Sequence, residues 1–291
     1  MVTSSRRLRF QLALVLTAIA ASQTSAGGQR VQLLLRPRVG DTISMRLEQE
    51  AEVSGRREAS KITTSSPAVP AASMINTSVT YSRAVVESAV TAFTTIVAIT
   101  DSVFVSRTDQ HGKTSPPTAE RQLQGQRVRL TVAPDGSIGM PNDGSAPAQG
   151  MSRTAALIPA TFPAKPVRVG DRWTREAPLP AGTSQLGTGI VGKVKATFRF
   201  DSLTHNGDLA YVSMHGELLR DAKAKGTDGV PIVEDGTVDG YMVVDNLRGW
   251  LTESQFAIVA HSALRPSFGV VSQPMYFEIR LTQKLRTFDK R

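Results

Sequence analysis

Between residues 43 and 53, Ile43, Met45, Leu47, Ala51 and Val53 share one phase of a two-residue period, while Ser44, Arg46, Glu48, Glu50 and Glu52 share the other. Successive side chains of a β-strand point to opposite faces, so this run specifies a strand with one apolar and one wet face. The same period returns at Lys193–Asp201, where Val194, Ala196, Phe198 and Phe200 alternate with charged and polar residues, and at Ala210–Leu218, where Ala210, Val212, Met214 and Leu218 do so. Further runs at 237–244, 250–260 and 276–285 follow the same rule. A chain written this way must pair its strands and hide one face of the resulting sheet.

Turn chemistry orders the strands. Asn206-Gly207-Asp208, Leu247-Arg248-Gly249 and Asp135-Gly136 separate neighbouring runs, and Asn and Gly tolerate the positive φ that tight hairpins need. Sheets with one wet face are antiparallel, and runs of about eleven residues span roughly 36 Å, long enough to twist and curl. The expected fold is therefore mainly β: a large curved antiparallel sheet, half-barrel or clam-like, with a few short helices. Residues 79–106 are read as two further strands, and Met151–Thr161, ahead of Pro163, as the best short helix. Proline and small polar residues mark loops at 54–73, 111–118 and 142–150.

One echo stands out. Arg38-Val39-Gly40-Asp41 opens the first long strand and Arg168-Val169-Gly170-Asp171 opens another, on either side of a seam near residues 142–166. The expectation is one domain over residues 27–291, built from two related halves.

Residues 1–26 have a different character. Arg6, Arg7 and Arg9 precede the apolar stretch 10–21, which ends in Thr24-Ser25-Ala26, the three-part pattern of a cleavable export signal. The apolar core is about twelve residues, too short to span a bilayer, which takes about twenty. The chain has no cysteine, so disulfides, thiolate metal sites and a lipidated cysteine are excluded. A periplasmic or secreted protein, free in its compartment, is expected. Beyond residue 26 there are 31 basic and 25 acidic residues, a scattered surplus of six that lacks the aromatic interleaving of a nucleic-acid surface.

The sequence carries no nucleophile-elbow Gly-x-Ser-x-Gly, phosphate loop, His-Glu-x-x-His or dinucleotide glycine fingerprint, and neither enzyme activity nor a cofactor is expected. His111, His205, His215 and His261 lie far apart and read as solvated side chains rather than metal ligands. Asp228, Glu234, Asp235, Asp239 and Asp245 lack calcium-loop spacing and read as turn and outer-face residues. The alternation also suits an outer-membrane barrel, but such barrels need aromatic girdles and aromatics are 5% of this chain.

The strand pattern, with Arg38-Val39-Gly40-Asp41, the segment Pro163–Trp173 and Gly240–Leu251, resembles the LolA-like superfamily of exported lipid and lipoprotein carriers, the LppX and LprG type included. That resemblance implies a curved sheet holding an acyl chain beneath short helices. The candidate apolar ligand face is Met45, Leu47, Phe198, Phe200, Met214, Met242, Phe256 and Phe277, with Trp173 and Trp250 as its rim. The expected function is a non-enzymatic binding or carrier module for an apolar or lipid-like ligand. The alternative is a structural or interaction protein of the cell envelope that docks a protein partner.

Overall fold

The computed structural model describes residues 30–57, 73–139, 162–178, 192–220, 232–264 and 275–288. Twelve strands form one antiparallel sheet. They are β1 (Thr42–Arg57), β2 (Ser73–Ala89), β3 (Thr94–Thr108), β4 (Thr118–Ala119), β5 (Arg127–Val132), β6 (Ile138–Gly139), β7 (Arg172–Pro178), β8 (Lys193–Thr204), β9 (Leu209–Leu219), β10 (Ile232–Asp245), β11 (Trp250–Leu264) and β12 (Met275–Phe288). The spatial order is β6-β5-β3-β2-β1-β12-β11-β10-β9-β8-β7, with β4 added on β3. Two meanders, β1–β6 and β7–β12, are thus welded by pairing the first strand with the last, in unbroken register from Ser44 opposite Phe288 to Arg57 opposite Met275.

Alternation is clearest in β8 and β9, whereas β10 buries Met242, Val243 and Val244 in succession beside a register shift at Val243/Val244. In β8 the burial runs strictly in and out, with Val194, Ala196, Phe198 and Phe200 buried and Lys195, Thr197 and Arg199 exposed. The described residues contain two 3-10 turns, Arg121–Leu123 and His205–Gly207, and no α-helix. The expected helix Met151–Thr161 and the export signal Met1–Ala26 lie outside the described residues. The residues expected as loop at 54–57 continue β1 instead, because Ser54 and Gly55 pair with Glu278 and Phe277 of β12.

The two Arg-Val-Gly-Asp motifs fold into the same turn. In each, the aspartate Oδ2 accepts a hydrogen bond from the arginine backbone N–H, at 2.9 Å for Asp41 and 2.8 Å for Asp171. The glycine takes a left-handed φ of 90° or 95°, open to glycine at little cost. Gly40 and Asp41 then exchange backbone hydrogen bonds with Val86 of β2, as Gly170 and Asp171 do with Phe200 of β8. The motif therefore starts the first strand of each meander.

Curvature shows in the core. Val128, Leu130 and Val132 of β5 belong to one contiguous buried cluster with Val194, Phe198 and Phe200 of β8, eight strand positions away along the sheet. In a flat sheet those strands would lie roughly 38 Å apart. The ends curl toward each other, and two extended segments fill the space between them. Val31 pairs with Val167 beside β7, Leu35 N–H donates to Pro134 O in the β5–β6 turn, and Phe162 N–H donates to Asp135 O. Leu33, Leu35, Phe162 and Val167 are all buried in the shared cluster. The seam expected near residues 142–166 thus supplies Phe162 to the core, with Val167 just after it, and Leu33 and Leu35, which no strand period marks, join them in one plug.

Close packing is also enforced where glycines sit in the apolar phase. A Cβ on Gly240 would lie 2.3 Å from Gln255 O and 2.5 Å from the Phe256 ring, so this ring needs a bare backbone beside it. Gly240→Ala is expected to lower the unfolding free energy by about 1–3 kcal/mol, the usual cost of overpacking, measured by urea denaturation. Phe162→Ala, which empties the plug, should cost about 3–5 kcal/mol in the same measurement.

Candidate functional site

All eight residues of the expected apolar face are brought to one side of the sheet. Register runs Leu47–Leu285–Ser254–Met242–Val212–Phe200 straight across β1, β12, β11, β10, β9 and β8, and Phe198, Met214, Phe256, Met45 and Phe277 keep the same parity. Phe198, Phe200, Met214, Met242 and Phe256 are buried members of the main cluster, and Met45 and Phe277 pack against it partly exposed. Leu47 is buried outside that cluster.

The two tryptophans part company. Trp173 lies opposite Phe198 and stacks on it, ring centroids 5.6 Å apart and planes 10° apart, at the β7 edge of the inner face. Trp250 borders a cavity of about 370 Å³ at the turn end of the sheet, together with Arg38, Asp245, Leu247, Arg248 and Phe288. Its indole N–H is buried without a hydrogen-bond partner.

The inner face is not uniformly apolar. Across its middle, Gln283 of β12 faces Phe256 on one side and Gln49 of β1 on the other, and Gln49 faces Ser78 of β2. Ser254 on β11 is a diagonal neighbour of Gln283, and Asn76, Ser82 and Thr100 continue the polar side chains onto β2 and β3. Gln283 is 2% exposed and Ser254 0%. Gln49 Nε2 donates to Gln283 Oε1 at 3.5 Å, while Gln283 Nε2 and Ser254 Oγ find no partner. The sequence reading missed this belt, although phase alone marks it: Gln49 stands between Leu47 and Ala51, and Gln283 between Leu281 and Leu285.

The opposite face is densely charged. Arg46, Glu48, Glu50 and Glu52 of β1 lie beside Arg280, Lys284 and Arg286 of β12, and Lys195 and Arg199 continue the pattern on β8. This polarity is the reverse of an outer-membrane barrel, whose outer face is apolar and where one Lys or Arg at the bilayer midplane costs about 2–4 kcal/mol.

Two of the histidines, exposed on that outer face, also pair with carboxylates of neighbouring strands. His215 Nδ1 and Asp239 Oδ1 of the neighbouring strand are hydrogen-bonded, and His261 Nδ1 is paired with Asp235 Oδ1, with Glu278 3.7 Å from its Nε2. Asp245, expected on the outer face, turns back to accept the Leu247 and Arg248 backbone N–H groups and so builds the β10–β11 turn. Asp228 lies outside the described residues. Among the described residues, no group of three or more His, Asp or Glu could hold a metal ion.

No family model and no curated protein matches the chain. Among solved structures, the fold is similar to that of lipovitellin, described for its lipid–protein interactions, with a TM-score of 0.52 at 12% identity. The match covers 87% of this chain and 26% of the lipovitellin chain, so this chain spans about a quarter of that protein's length. The likeness is one of fold: a large β-sheet.

The His215–Asp239 bond, and then the charge of Asp239, raise the imidazole above its ordinary 6.5. A histidine whose folded pKa is raised adds stability below its unfolded value and loses it as the pH climbs through the folded one. Asp239→Asn should therefore lower the His215 midpoint toward 6.5 in an NMR titration of its ring protons, and flatten the stability change across that window.

Proposed function

We propose that this chain is an exported, non-enzymatic carrier or binding module for an apolar or lipid-like ligand, of LolA-like type, working free in the periplasm or outside the cell. The observation that carries the reading is the polarity of the curled sheet: a charged outer face and an inner face bearing Leu47, Met45, Phe277 and their neighbours. Binding would follow from burial, since removing apolar surface from water yields roughly 25 cal/mol per Å². An acyl chain lying along such a face needs no charged partner.

Two further observations support it. The fold is similar to that of lipovitellin, described for its lipid–protein interactions. The N-terminal Arg6–Ala26 pattern, with no cysteine anywhere in the chain, fits export without a lipid anchor.

Mass spectrometry of an organic extract of the purified full chain tests the reading. The expected result is an acyl lipid recovered near one per chain, and saturable uptake of a fluorescent acyl ester after delipidation. A chain that yields no lipid and takes up no acyl probe overturns it.

A further inference from the structure

We infer that the neutral polar belt across the inner face is a recognition site for an uncharged carbonyl, an ester or amide, placed between two hydrocarbon segments of the ligand. The inference rests on the apolar-ligand reading above and specifies which ligand class that face selects.

The argument begins with unpaired groups. A buried polar atom without a hydrogen bond costs roughly 1–3 kcal/mol, and folded proteins rarely leave one orphaned. Here Gln283 Nε2 and Ser254 Oγ are both orphaned, on side chains 2% and 0% exposed, on adjacent strands and diagonal to one another. Each can donate a hydrogen bond to a carbonyl oxygen. Their strand neighbours Gln49 and Ser78 extend the row with further neutral donors.

Charge then narrows the class. Gln49, Asn76, Ser78, Thr80, Ser254 and Gln283 fill the belt, and none carries a charge. A carboxylate or phosphate taken into such a place would lose its hydration with no cation to replace it, and an isolated buried charge is far costlier than a buried amide. A carbonyl loses little.

The surroundings fix what lies on either side. Beyond the belt, one residue pair further along the strands, Ala51 and Leu281 form a second small buried apolar cluster, and Ile258 packs against both it and the main core. On the other side, Leu47 and Leu285 face each other, and Met242 lies in the same row beyond Ser254. Apolar, neutral polar, apolar is the profile of an acyl ester.

Binding of 1,2-dioleoylglycerol, its 1,2-dialkyl ether analogue and oleate to the delipidated full chain tests the inference. The diester should bind at least tenfold more tightly than the diether, which lacks the carbonyls, and more tightly than oleate at pH 8. Ser254→Ala with Gln283→Leu should erase the ester preference while leaving diether affinity within twofold. Because Ser254→Ala alone deletes only an unpaired hydroxyl, that ligand-free single variant should melt no lower than the parent; a fall in its melting temperature with the ester preference intact would mark the belt as structural and overturn the inference. Equal affinity for diester and diether, or tighter binding of oleate, overturns it too while leaving the carrier reading in place. Failure of all three probes to bind overturns both.

Discussion

A sheet with one apolar face cannot remain flat in water, because that face has to meet something other than solvent, and in this protein it meets itself. The contact is made through the plug. Leu33 and Leu35 from the N-terminal segment, and Phe162 and Val167 from the segment ahead of β7, sit between the two ends of the sheet. Burying four such side chains supplies roughly 6–12 kcal/mol. The whole net stability of a domain is about 5–15 kcal/mol. Closure of the sheet, and with it the existence of an inside, depends on these two short extended stretches. Arg175, on the inner side of the β7 edge, ties one of them down by donating to Phe162 O at 3.0 Å.

Packing at the turn end and polarity farther along are complementary consequences of that closure. On β5, β8, β9 and β10 the inner positions are filled by large apolar side chains in mutual contact, with glycines such as Gly216 and Gly240 where a ring or a neighbouring backbone comes close. On β1, β2, β11 and β12 neutral polar residues such as Gln49, Ser78, Ser254 and Gln283 interrupt the inner apolar positions. Cores built purely for stability avoid unpaired polar atoms, whereas binding faces carry them as points of selectivity. The outer face is ordinary by contrast: its ion pairs, such as Arg46 with Glu48 and Arg83 with Asp101, are exposed and individually worth about 0.2–1 kcal/mol.

The twin Arg-Val-Gly-Asp turns give the sheet its organisation. Each sets the direction of the first strand of a six-strand meander, and each is capped by its own aspartate. The meanders then join through β1 and β12, so the strands nearest the middle of the sheet come from the two ends of the described chain. Such a joint consists entirely of contacts between residues more than 200 positions apart, and nothing local can announce it.

Strands, faces and turns were legible in the sequence because each follows from neighbours a few residues away. A two-residue period fixes which side chains share a face, and Asn206, with a φ of 58°, shows why an Asn-Gly step reads as a hairpin. The eight apolar candidates were found on one face for the same reason. The tertiary structure alone decided the rest. Strand order, the welding of β1 to β12, and the plug all depend on distant partners. Gln49, Gln283 and Ser254 look like interruptions of a pattern until the sheet places them side by side and shows two of their polar atoms without partners. Periodicity is local and survives in a single chain segment; adjacency across a curled sheet exists only once the chain has closed.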